Sequence, residues 1–334
     1  MKKLLTMALA ATLTVGVISP ASAETTLNGN GSSYVNSLMQ SCKDGAVKVN
    51  YLAAGSGSGR TQFLNKSVDF GASDVPYGPT EPKPDFAFGY IPLAGGPIAI
   101  AFNIPGVSNL RLTNKVISDI YLGKVTKWNS KAIADLNPKA KLPDIKINPV
   151  SRADSSGTSA NLVNYLSATV GAGWIKDSTT FNLANKSKVV GLSGPKSIGV
   201  LTLIKQNQGA IGYLDLADVR SQGVSYAYVQ NGAGQFIKPT PANAASFINV
   251  QKVGSNGIVS FDYNKKVLGG YNLSLVSYAI VPLVKTEKSN AIKTFFNYLV
   301  NQCAPANANM IGFSQISNNV KVYARKTINL IGTK

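Results

Sequence analysis

The chain predicts an α/β protein of two domains. Short β-rich runs alternate with apolar stripes at a period near 3.6, the pattern of strands and helices building mostly parallel sheets. Once an N-terminal leader is set aside, about 311 of the 334 residues remain, more than one hydrophobic core readily accommodates. Clusters of small residues recur where predicted strands end, which is where open α/β sheets bind ligands.

The leader is residues 1–23. Lys2 and Lys3 give a basic start, Leu4 to Val17 is a short apolar run, and Ala21-Ser22-Ala23 is a cleavage site. The run is too short to span a bilayer, and no cysteine follows it to carry a lipid. The mature chain is expected to begin near Glu24 and to be exported to a periplasmic or extracellular space. Val47 to Leu52, Phe70 to Ala72, Ile98 to Phe102, Ile145 to Val150, Ala210 to Leu214 and Leu275 to Val281 read as strands. Val35, Leu38, Met39 and Cys42 share one helix face, and so do Val116, Ile117 and Ile120, with Thr113 as N-cap and Gly123 as the stop. Val200, Leu203 and Ile204 form a third stripe, and Ile292, Phe295, Phe296 and Leu299 a fourth; these faces pack on a sheet. Gly78 to Pro84 is a proline-rich loop. Pro92 to Pro97, with Gly95-Gly96, reads as a crossing between domains, and the polar stretch from Ser221 to Asn256 as loops and short strands.

Composition narrows the function classes. Without the leader, 31 basic residues face 15 acidic ones, a net charge of +16 that draws anions toward the protein. The lysines are scattered, and no Arg-rich arm, aromatic RNA motif or zinc-finger spacing appears, so nucleic acid is not the expected partner. Histidine is absent, which removes Ser-His-Asp and Cys-His catalysis and histidine-ligated zinc. Cys42 and Cys303, in an exported chain, read as one disulfide, with two buried thiols as the alternative.

Four small-residue clusters carry the chemistry. They are Gly29-Asn30-Gly31-Ser32-Ser33-Tyr34, Gly55-Ser56-Gly57-Ser58-Gly59-Arg60, Gly71-Ala72-Ser73-Asp74, and Ser151-Arg152-Ala153-Asp154-Ser155-Ser156-Gly157-Thr158-Ser159. The last is the most informative. With only five arginines against 28 lysines, Arg152 is a choice of fork geometry, able to hold a tetrahedral oxyanion by two parallel hydrogen bonds. The free N–H groups of a helix start add donors to the same anion. The second cluster begins like a dinucleotide loop, but Arg60 stands at the sixth position of Gly-x-Gly-x-x-Gly, no Walker A ending follows, and Gly57 spoils Gly-x-Ser-x-Gly.

In this order the clusters resemble the periplasmic phosphate-binding proteins of phosphate-specific ABC transporters. Val49-Asn50-Tyr51, Val68-Asp69-Phe70, Ile120-Tyr121-Leu122-Gly123-Lys124-Val125-Thr126-Lys127-Trp128 and Gly209-Ala210-Ile211-Gly212-Tyr213 carry the same resemblance from Leu27 to Tyr213, and Tyr278 to Pro282 extends it more thinly. The resemblance implies a two-domain Venus-flytrap fold with the ligand cleft between the domains. It implies a ligand set of Ser33, the Tyr34 N–H, Ser56, Asp74, Arg152, Ser156, Gly157 and Thr158, with Asp154 holding the Arg152 plane. Asp74 is then the acceptor for a proton on phosphate, which sulfate lacks, so that sulfate is rejected by repulsion and an unpaired acceptor. Tyr34 and Ser33 stand where phenylalanine and threonine are frequent in the family. Arg60 is an added guanidinium, expected at the cleft rim or facing solvent.

The resemblance further implies domains at 24–95 with 275–334 and at 96–274, which puts both cysteines in the first. It implies a non-enzymatic monomer without cofactor, which closes on inorganic phosphate and is recognised by a membrane permease. Three other readings stand beside it. One is an exported phosphate-ester hydrolase with Ser56 or Ser156 as nucleophile, another a binder of sulfate or molybdate, and the third an adhesion role driven by the basic surface.

Overall fold

The computed structural model describes residues 25–171, 173–181 and 190–334; the predicted leader lies outside the described residues. The first half is built from β1 (Leu27–Gly31), α1 (Asn36–Cys42), β2 (Val49–Leu52), α2 (Ser56–Leu64), β3 (Phe70–Ser73) and the long β4 (Phe88–Phe102). Next come β5 (Arg111–Leu112), α3 (Asn114–Tyr121), α4 (Lys131–Ala134), β6 (Asn148–Arg152), α5 (Gly157–Thr169), β7 (Leu192–Gly194), α6 (Lys196–Gln206), β8 (Ala210–Asp215) and α7 (Leu216–Ser221). Short elements follow: β9 (Ser225–Tyr226), β10 (Tyr228–Gln230), β11 (Phe236–Ile237), α8 (Pro241–Ile248), β12 (Lys252–Val253) and β13 (Val259–Ser260). The chain ends with β14 (Ser274–Pro282), α9 (Ser289–Tyr298), which runs through a π-helical turn into α10 (Ala304–Ile311), and α11 (Asn318–Leu330).

The main sheet has the order β2-β1-β3-β14-β4-β8-β6-β7, with β9 also against β4. It divides into two lobes at β4, which pairs with β14 from Phe88 to Pro97 and with β8 from Ile98 to Phe102. The outer strands of each lobe are parallel, as expected, but β14 runs antiparallel to β3 and β4, and β4 antiparallel to β8. The sheet is therefore mixed at its centre. The predicted crossing at Pro92–Pro97 is the interior of β4. Pro92 fits there because the ladder with β14 shifts register between Ser277 and Tyr278, opposite Ala94 and Pro92, and Pro97 stands where β4 exchanges β14 for β8. Gly95 and Gly96 are small because a Cβ would lie 2.6 Å from Ile248 and 2.5 Å from the Tyr34 hydroxyl.

Helix faces pack on this sheet as their periodicity predicts. Leu38, Met39 and Cys42 of α1, Val116, Ile117 and Ile120 of α3, and Ile292, Phe295 and Phe296 of α9 are buried. Thr113 caps α3 by accepting the Val116 N–H at 3.2 Å, and Gly123 follows its last turn at φ 69°. Two elements were hidden by glycine. The Gly29–Gly31 stretch is strand: a Cβ at Gly29 would stand 2.2 Å from the Phe70 ring. The Gly55–Gly59 stretch opens a helix despite its poor propensity, because Gly59 lies 2.4 Å in Cβ terms from the Ala72 carbonyl. In the Ser221–Asn256 stretch the short strands occur as expected, but α8 is a helix, capped by Thr240 with Pro241 in its first turn.

Cys42 and Cys303 are bonded, with their Cα atoms 5.8 Å apart. The bridge ties α1 to the π-helical turn before α10, within the first lobe, and removes the alternative of two thiols.

Candidate functional site

Each cluster singled out in the sequence sits at the cleft between the lobes. Strands β1, β2 and β3 end there from one side and β6 from the other, so that loops and helix starts from both lobes face each other. The backbones meet directly: the Gly57 N–H donates to the Ser155 carbonyl at 3.0 Å. Gly55, at φ 100°, has no room for a side chain, since its Cβ would lie 2.4 Å from Asp154 Oδ2.

The second-lobe wall is Arg152 with the start of α5. Arg152 is 3% exposed and donates from Nε to Asp154 Oδ1 at 2.8 Å and from Nη2 to Asp154 Oδ2 at 2.5 Å. Asp154 thus fixes the guanidinium plane, as expected. Burial alone would raise the Asp154 pKa, but the hydrogen bonds and charge of Arg152, with the Lys196 N–H at 2.8 Å, hold it below the usual carboxylate value. Ser156 caps α5 by accepting the Ser159 N–H at 3.2 Å. The N–H groups of Gly157 and Thr158 then begin the helix without intrahelical partners, next to the guanidinium. A Cβ at Gly157 would stand 2.5 Å from Ser56 Oγ, so glycine is what lets the α5 start approach the opposite wall.

The first-lobe wall centres on Asp74, which is 4% exposed. Its two oxygens are treated differently. Oδ1 accepts short hydrogen bonds from Ser32 and Ser277, both at 2.6 Å. Oδ2 has only longer contacts, from Ser56 at 3.3 Å and from Thr158 across the cleft at 3.4 Å. Burial raises the Asp74 pKa, opposed by the hydroxyl donors Ser277, Ser32 and Ser56 and by the positive charge of Arg152. Ser33 faces Ser197 across the cleft, with the two hydroxyl oxygens 3.1 Å apart. Tyr34 is buried, its hydroxyl donating to the Pro97 carbonyl and its N–H to Ser32 Oγ at 3.1 Å. Beside the socket a groove of about 1250 Å³ runs between the lobes, lined among others by Tyr77, Asn161 and Tyr263.

Ser33, Tyr34, Ser56, Asp74, Arg152, Asp154, Ser156, Gly157 and Thr158 are therefore brought together. Ser32, Ser277 and Ser197 join them without having been singled out as site residues. Ser277 is the one serine within the largely apolar run Leu275–Val281, a signal that could have flagged an inward-facing polar group. Arg60 corrects one of its two expectations: it does not face solvent, though it does line the groove between the lobes. It is 2% exposed, with Nε paired to Glu81 at 2.7 Å and Nη1 donating to Ser73 at 2.9 Å, so it braces the strand that presents Asp74.

Comparison with known proteins agrees with this geometry. A family model described as a PBP superfamily domain matches residues 19–302. The phosphate-binding protein PstS of Xylella fastidiosa (strain 9a5c) is 36% identical over 241 residues, covering 68% of this chain and 64% of that protein. The chain belongs to the PBP superfamily and, within it, to the PstS family. The match to the Xylella relatives thus spans just under two thirds of their length. PstS of Pasteurella multocida is 32% identical over 260 residues, covering 76% of this chain and 74% of that one.

Two solved structures share the fold. A high-affinity periplasmic phosphate-binding protein bound with phosphate superposes with a TM-score of 0.77 at 21% identity, over 90% of this chain and 93% of that one. A putative phosphate ABC transporter substrate-binding protein from Clostridium perfringens, with bound phosphate, gives 0.60 at 20% identity, over 88% and 100%. The family's two-lobed α/β architecture is the one described above.

Proposed function

We propose that this chain captures inorganic phosphate in the interlobe cleft and presents it, in the closed form, to an ABC-type membrane permease. The observation that carries the reading is the asymmetry of Asp74. Ser32 and Ser277 saturate Oδ1, while Oδ2 looks across the cleft at the α5 start with only long contacts. An acceptor so placed, opposite a guanidinium and helix N–H groups, suits an oxyanion that carries both negative charge and a proton. Phosphate has both near neutral pH; sulfate has no proton to give. Leaving a charged acceptor unpaired against sulfate costs on the order of several kcal/mol.

The names of the PstS relatives support the substrate class. The export leader remains part of the proposal, consistent with the absence, among the described residues, of any helix long and apolar enough to cross a membrane. The lobes were expected to divide at 95/96 and 274/275. Yet α8 lies against Gly95, and the turn between β12 and β13 lies against Pro92 and Tyr323. We therefore place the second seam near residue 240 and the first within β4, where its partner changes from β14 to β8.

We also propose that the binding unit performs no reaction. Ser56 Oγ accepts the Asp74 N–H and donates to its carboxylate, and Ser156 Oγ accepts the Ser159 N–H to cap α5, so both hydroxyls are engaged in building the walls. The test is calorimetry. Tight 1:1 phosphate binding with little response to sulfate is expected; equal affinity for the two anions would overturn the role given to Asp74.

A further inference from the structure

Helix α5 meets Asp74 at two places one turn apart. At Gly157 the approach leaves no space, because a Cβ there would stand 2.8 Å from the Asp74 Cβ. One turn on, the same helix face carries Asn161, which is 4% exposed. Its Nδ2 donates across the cleft to the Asp74 main-chain carbonyl at 2.9 Å. The Asp74 N–H is held from its own lobe, by Ser56 Oγ at 3.2 Å. The backbone of Asp74 is thus gripped once from each lobe.

Both hydrogens and the oxygen of the Asn161 amide are engaged. Nδ2 also donates to the Gly157 carbonyl at 2.9 Å, which ties the side chain to its own helix. Oδ1 accepts the Tyr263 hydroxyl at 3.1 Å. Turned over, the amide would set its oxygen against two carbonyls and lose both bonds, so all three partners agree on one orientation. Tyr263 is buried between β13 and β14 and stacks on Phe247 and Phe261, with ring centroids 6.3 and 5.5 Å away. With the second seam near residue 240, Asp74 and Tyr263 both belong to the first lobe. Asn161 is then a polar knob of the second lobe seated between them.

That seat sets a distance. Thr158 Oγ1, from the same helix start, lies 3.4 Å from Asp74 Oδ2. The amide therefore fixes how far the free carboxylate oxygen stands from the opposite wall. Ser32 and Ser277 fix the carboxylate only within its own lobe. A wall able to draw back would admit water beside Oδ2, and water can donate to that oxygen where sulfate cannot. We propose that Asn161, oriented by Tyr263, is a specificity-determining positioning residue. By gripping the Asp74 carbonyl it holds Oδ2 so near the α5 start that only an anion bringing its own proton satisfies it. The inference rests on the phosphate reading of the cleft.

The test measures the Kd of phosphate by calorimetry, and that of sulfate by competition, in wild type, Asn161→Ala and Tyr263→Phe. Asn161→Ala should reduce the phosphate-to-sulfate preference about fivefold, the scale of one lost hydrogen bond, because phosphate weakens and sulfate does not. Tyr263→Phe keeps the ring stack and removes only the orienting hydroxyl; it should reduce the preference about twofold. A clasp that merely held the lobes together would weaken both anions by one factor. An unchanged preference in Asn161→Ala, whatever the loss of affinity, would therefore overturn the proposal while leaving phosphate capture standing. A preference that narrows in Asn161→Ala but not in Tyr263→Phe would strip Tyr263 of its part. Should Asn161→Ala not fold, Tyr263→Phe decides alone, and a preference equal to that of wild type overturns the proposal. Wild type that binds no phosphate would overturn the reading of the cleft and this inference with it.

Discussion

The two walls of the cleft are built from different chemistry. The second-lobe wall offers positive charge: a guanidinium locked by Asp154 and the start of a 13-residue helix. The first-lobe wall offers a carboxylate ringed by serine hydroxyls. In the proposed function, one wall is a general attractor of oxyanions and the other a filter that accepts only a protonated one. Affinity and selectivity would then be carried by opposite lobes, and should be separable by mutation.

The largest effect is expected at the attracting wall. Arg152→Lys replaces a fork with a point charge and should weaken phosphate by about 3 kcal/mol, on the order of 100-fold, and sulfate in proportion. Calorimetry with both anions checks this, and unchanged affinity would place the socket elsewhere. At the filtering wall, Asp74→Asn should cost phosphate roughly tenfold while improving sulfate by a similar factor, since the amide removes the repulsion. Competition of sulfate against bound phosphate reads that ratio; a ratio equal to wild type would mean the filter is not Asp74.

A smaller effect follows from pH. Burial raises the Asp74 pKa, so acidification adds a proton to its carboxyl sooner than to an ordinary aspartate. The protonated group can donate to a fully deprotonated anion. Phosphate preference over sulfate should therefore narrow as pH falls through the raised Asp74 pKa, and be widest above it. Sulfate competition across a pH series tests the sign; a preference that widens on acidification would break the assignment.

The smallest effect on the anion is expected behind the filtering wall. Arg60→Ala leaves Glu81 without its buried partner and should cost about 3 kcal/mol of stability, yet change phosphate affinity less than about twofold. Reducing the Cys42–Cys303 bridge, which closes 261 residues, should cost on the order of 3–5 kcal/mol with equally little effect on the ligand. Melting curves with and without phosphate separate these losses from a damaged socket.

The attracting wall was the more legible in the sequence. Arg152 to Thr158 lies in one contiguous stretch, and its arginine, cap and glycine each have a local physical meaning. The filtering wall is assembled from Ser32, Ser56, Asp74 and Ser277, drawn from four separate elements. Ser277 is 203 residues from Asp74, and nothing local in an apolar strand announces which carboxylate it serves. The solvent-facing alternative for Arg60 fails for a related reason: an arginine in a glycine-rich loop looks exposed until Glu81, from a separate loop, is brought against it. Strand β1 and helix α2 were obscured because tertiary contact, not intrinsic propensity, selects their glycines.

The order of strands in the first lobe bears on how the chain acquires its structure. β14 lies between β3 and β4, although it comes after some 170 residues of intervening chain. The first lobe's central sheet therefore cannot be completed until the last fifth of the polypeptide is present, whereas the strands β6, β7 and β8 of the second lobe are in hand well before. Long-range pairing of this kind slows folding and leaves strand edges open in the meantime. The lobe that holds Asp74 is thus the one that matures last, and on the proposed function a truncated product would display the attracting wall without the means to discriminate.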